Sequence, residues 1–108
     1  MKVFLYLRDR VTPASVTASL AGQIRAGEHK AWEVVRRRPL TIRHKGRFKS
    51  AVSIRPAPRR ASGDGPAPDL VASMTGKDAG FVLRYFVGLV AMKLGRQVSG
   101  LYVPVDEQ

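Results

Sequence analysis

The chain is predicted to fold as one α+β domain with the element order β-α-β-β-α-β, the arrangement of a ferredoxin-like two-layer sandwich. Three observations predict it. Short runs with an apolar residue at every second position alternate with two stretches of helical period. The 108 residues leave room for one core, so residues 1–108 are read as a single domain. Prolines fall where that sandwich has its edge strands, Pro39 in the second strand region and Pro104 in the fourth, and a proline cannot donate to a central ladder.

The elements follow in order. Lys2 to Arg8 is an aromatic and branched run that reads as a central strand, because both of its faces are largely apolar. Thr12 is placed to cap a helix and Pro13 suits its first position, where a missing N–H costs nothing. Val11 and Val16 occupy the staple positions around that cap. Val16, Leu20 and Ile24 form one apolar stripe, and Gly27 is the expected stop. From Ala31 to Arg55 the period changes to two. A three-residue hairpin loop, His44-Lys45-Gly46, sets Ile42 opposite Phe48 and Arg43 opposite Arg47. Pro39 also offers a break in this region, and a five-stranded sheet or small barrel with two helices is then the alternative.

Residues 56–68 are rich in Gly, Pro, Ala and Ser and read as a mobile loop. Asp69 to Met74 is read as one helical turn. A second long helix begins near Thr75 to Asp78 and ends near Leu94, with Gly95 as its stop. Apolar residues surround most of it, which predicts deep burial. Arg84, Gly88 and Ala91 make a thin stripe where a neighbour can approach. Gln97 to Val105 is the last strand, with Ser99, Leu101, Val103 and Val105 on one face.

Nineteen Lys and Arg against eight Asp and Glu give a net charge of +11. Between Val34 and Arg60 stand ten cations and no acid: Arg36, Arg37, Arg38, Arg43, Lys45, Arg47, Lys49, Arg55, Arg59 and Arg60. Such clustering points to a polyanion, since guanidinium groups present planar forks to phosphate. If Val3, Leu5 and Leu7 face the helices, then Phe4 and Tyr6 face outward, with Tyr102 from the last strand beside them. Rings interleaved with cations suit base stacking. The bland alternatives are a solvated hairpin whose charges guard an edge, and rings that pack against a second subunit.

Cysteine is absent, which excludes disulfides, Cys-ligated zinc and thiolate catalysis. The amino-terminal apolar run is too short for a signal peptide, no stretch is long enough to span a bilayer, and a cytoplasmic location is expected. His44 reads as a solvated turn residue and His29 as a cation near a helix end. No metal-ligand spacing joins them, so no metal or cofactor is expected. Asp9 is the one weak catalytic candidate, a metal-binding carboxylate of a dimeric nuclease. The expected function is therefore non-catalytic binding of nucleic acid, RNA or DNA, mainly through phosphates. A protein-interaction module gripping an acidic partner is the second reading, and a homodimer is compatible with either.

Overall fold

A computed structural model describes residues 1–46, 49–58 and 67–104. Six strands and two helices follow one another: β1 (Lys2–Leu7), α1 (Pro13–Arg25), β2 (Trp32–Arg37), β3 (Leu40–His44), β4 (Ala51–Pro56), β5 (Leu70–Met74), α2 (Ala79–Lys93) and β6 (Val98–Tyr102). They form one antiparallel sheet in the order β2-β3-β4-β5-β1-β6. The α+β class is as predicted. The four-stranded β-α-β-β-α-β order is not, because four strands rather than two run as a meander between the helices.

Two local features make the difference. At Arg38-Pro39, whose peptide bond is cis, the predicted second strand breaks into β2 and β3. Pro39 so lies in a hairpin turn beside the edge strand β2. The segment read as a helical turn is strand β5. Leu70, Ala72 and Met74 are buried while Val71 and Ser73 lie on the other face, and the run pairs with β4 and β1.

One face of this sheet carries the core. Val3 stands beside Ala72, Ala72 beside Ile54, and Ile54 beside Leu40, all buried. A second row joins Ile42, Val52 and Met74. Val16, Leu20 and Ile24 of α1 and Val82, Phe86, Leu89 and Val90 of α2 close the same cluster, so both helices cover one face. Burying a side chain the size of Phe86 contributes roughly 1.5–3 kcal/mol, and Phe86 is completely buried in that layer.

The first helix is built as its residues dictate. The Thr12 hydroxyl accepts from the Ser15 N–H at 3.1 Å and the Ser15 hydroxyl accepts from the Thr12 N–H at 3.2 Å, a reciprocal cap. Gly27, at φ +82°, ends it. The second helix departs from deep burial on one side. Phe81, Tyr85 and Met92 are exposed there, along with Arg84 and Ala91. Within the last strand a bulge between Tyr6 and Leu7 of the β1–β6 ladder takes Ser99 out of register, so the predicted common face of Ser99 and Leu101 is interrupted.

Candidate nucleic-acid interface

The basic run does not form one hairpin face. Ile42 pairs with Val52 and Arg43 with Ala51, so the connection between β3 and β4 spans residues 45–50 and is no tight turn at Gly46. The far end of that connection is tied to a distant element. The Lys49 N–H donates to Asp78 Oδ2 at the start of α2, and Ser50 beside it is buried. Arg47 and Phe48 lie outside the described residues, as do Arg59 and Arg60.

The described cations gather at the two ends of the meander. Arg36 and Arg37 end β2, Arg38 is in the turn, and Arg55 follows Ile54, the ladder partner of Leu40. Lys45 and Lys49 sit at the opposite end of β3, a strand roughly 15 Å long at ~3.4 Å per residue. Arg43 belongs to neither free group. Its Nε and Nη2 donate to Glu33 Oε2 at 3.0 and 2.8 Å, so its charge is largely neutralised by its neighbour on β2, and its ladder partner on β4 is Ala51.

The face of the sheet away from the helices holds the rest of the site. Alternation along β1 puts Phe4 and Tyr6 there, as expected from the sequence. Two cross-strand rows define it. Arg55, Val71, Phe4 and Tyr102 stand side by side on β4, β5, β1 and β6. The adjacent row runs Arg36, Thr41, Ser53, Ser73 and Lys2. The Phe4 and Tyr102 rings stack with centroids 6.4 Å apart and planes 21° apart, and Tyr102 is 56% exposed. Gly100 lies beside Tyr6, and a Cβ built there would meet nothing within 4 Å. Of the acids described near this face, Glu33 is ion-paired with Arg43, and Asp69 accepts a hydrogen bond from the Leu7 N–H through Oδ2 at 2.7 Å.

The remaining candidates have structural placements. Asp9 is exposed in a turn after β1, followed by Arg10 at φ +69°, and no group of three potential metal ligands exists among the described residues. His29 is buried and its Nε2 lies 2.7 Å from Gln23 Oε1, so it joins the loop after α1 to the helix. His44 is no solvated turn residue. Its ring lies edge-on to Trp32 at 5.3 Å and 4.9 Å from the Tyr85 ring, linking β2, β3 and α2. Sequence reasoning missed a groove of about 250 Å³ between the start of α1 and the β2–β3 turn, with Arg37 and Arg38 beside Leu40, Ile54 and Leu70. No helix among the described residues is long and apolar enough to cross a membrane. Neither a protein-family model, nor a curated protein, nor a solved structure matches this chain.

Proposed function

We propose that the protein is a non-catalytic nucleic-acid-binding domain that holds its ligand mainly by phosphates. The observation that carries this reading is the helix-free face, where Arg36, Arg55 and Lys2 surround hydroxyls and rings while Glu33 is already paired with Arg43. Cations so placed attract a polyanion. Binding through phosphates releases counterions, so affinity must fall steeply as salt rises. The test is a salt series with RNA and DNA, single-stranded and duplex. Binding at low salt that weakens when Arg36 and Arg55 become alanine supports the reading, and absence of binding at low salt defeats it.

The groove favours a second reading. Its apolar floor and the two arginines suit a segment of an acidic protein, for which charge would steer association equally well. Affinity capture after nuclease treatment separates the two, since a partner retained through nuclease treatment and lost on Arg37→Glu is a protein.

A further inference from the structure

We infer that the helix-free face is a platform for single-stranded nucleic acid, with bases laid on Phe4, Tyr6 and Tyr102 and phosphates drawn to Arg55, Arg36 and Lys2. The inference rests on the nucleic-acid reading and names the form of the ligand. Its basis is the order of side chains across the strands. The row Arg55, Val71, Phe4, Tyr102 covers four strands, or roughly 14 Å at ~4.8 Å per strand, with its cation at one end and its rings at the other. The row beside it has Arg36 and Lys2 at its two ends and three small hydroxyl side chains between them. Small residues keep that lane low, so a backbone can lie along it while bases reach the higher aromatic row.

A duplex is the wrong shape for this surface. Its bases are stacked within the helix and show only their edges in grooves, so their faces are not free to lie on the rings of the sheet. Exposed rings gain from a base only when the base is unstacked and splayed. A second copy of the chain is disfavoured as the occupant, because joining two such faces would bring Arg36, Arg55 and Lys2 toward their own counterparts. Beside Tyr6, the open space at Gly100 leaves one ring approachable from the side of β6.

The experiment compares a labelled oligonucleotide as a single strand and annealed to its complement, in ribose and deoxyribose forms, at one low salt concentration. Tighter binding of either single strand than of its duplex is expected. Phe4→Leu keeps the apolar bulk and removes the ring, and Tyr102→Ala alters an exposed edge position. Each is expected to weaken single-strand binding roughly tenfold while leaving duplex binding unchanged. Gly100→Glu, which adds a carboxylate where space is open, is expected to weaken it as well. Tyr102→Trp is expected to retain binding, with indole emission quenched when the single strand is added. Urea unfolding of each variant confirms that it is folded. Duplex binding as tight as single-strand binding, with no effect of Phe4→Leu, overturns the inference while the phosphate-binding reading stands. Equal affinity for polyglutamate, again indifferent to Phe4→Leu, overturns it in favour of an acidic protein. No binding to any nucleic acid overturns both.

Discussion

Arg43 shows how a residue's partner decides its worth. In sequence it is one of ten cations, yet both of its hydrogen bonds go to a single Glu33 oxygen. With side chains 47% and 38% exposed, the pair contributes on the order of 0.2–1 kcal/mol to stability. The double variant Arg43→Ala with Glu33→Ala removes no net charge and is therefore expected to reduce nucleic-acid affinity less than Arg55→Ala, which removes one positive charge. Parallel titrations of the two variants at one salt concentration check this, and an equal or larger loss in the double variant contradicts it. Gly76 is a second case. It adopts φ +105°, and a Cβ there would stand 2.9 Å from Ser50 Oγ. Gly76→Ala should cost more than ~1 kcal/mol, since a side chain meets both a disfavoured backbone conformation and a buried neighbour. A lowered urea midpoint measures it. Ser50 lies far from Gly76 in the chain, so nothing local in the sequence announces that contact.

Among the elements, α1 was the most legible, because everything that defines it is local. Thr12, Pro13, the four-residue apolar spacing and Gly27 sit within a short stretch and agree with one another. Thr12→Ala is expected to remove about 1 kcal/mol, seen as a shift in denaturant midpoint without a change in slope. Strand β5 was the least legible. Leucine, alanine and methionine are good helix formers, so composition favoured a helical turn over the period of two that Leu70, Ala72 and Met74 actually follow. The strand forms because β4 and β1 supply hydrogen-bond partners on both sides, and that is a property of the sheet rather than of the segment. The β3–β4 connection failed for the same reason. Gly46 suited a tight turn, but the tie from Lys49 to Asp78 crosses 29 residues. Of the proposed interface, the ring alternation of Phe4 and Tyr6 was readable from the strand period. The pairing of Arg43 with Glu33 was not, since it depends on a register shifted by the bulge near Val35.

At the scale of the whole molecule, a net charge of +11 works against compactness. Pairing offsets it little, since Arg43 with Glu33 is the ion pair found among the described residues. A polyanion that binds only the folded state should relieve this repulsion and add its own binding free energy. At a free oligonucleotide concentration of a hundred times the dissociation constant, the added stability is about 2.7 kcal/mol. Urea unfolding with and without the single strand measures it, and an unchanged midpoint under conditions of saturation contradicts folded-state binding.

The ladder around β1 has a consequence for how the molecule is made. This strand is made before the other five described, yet its partners are residues 70–73 on one side and 98–102 on the other. The meander from β2 to β5 pairs neighbour with neighbour, but β1 stays without a partner until β5 exists and half-paired until β6 does. The stacked Phe4 and Tyr102 rings thus join β1 to β6, the first and last of the described strands. A nascent or carboxyl-terminally shortened polypeptide would carry the cations without the complete aromatic row, and the assembled surface arises only once translation has passed the last strand.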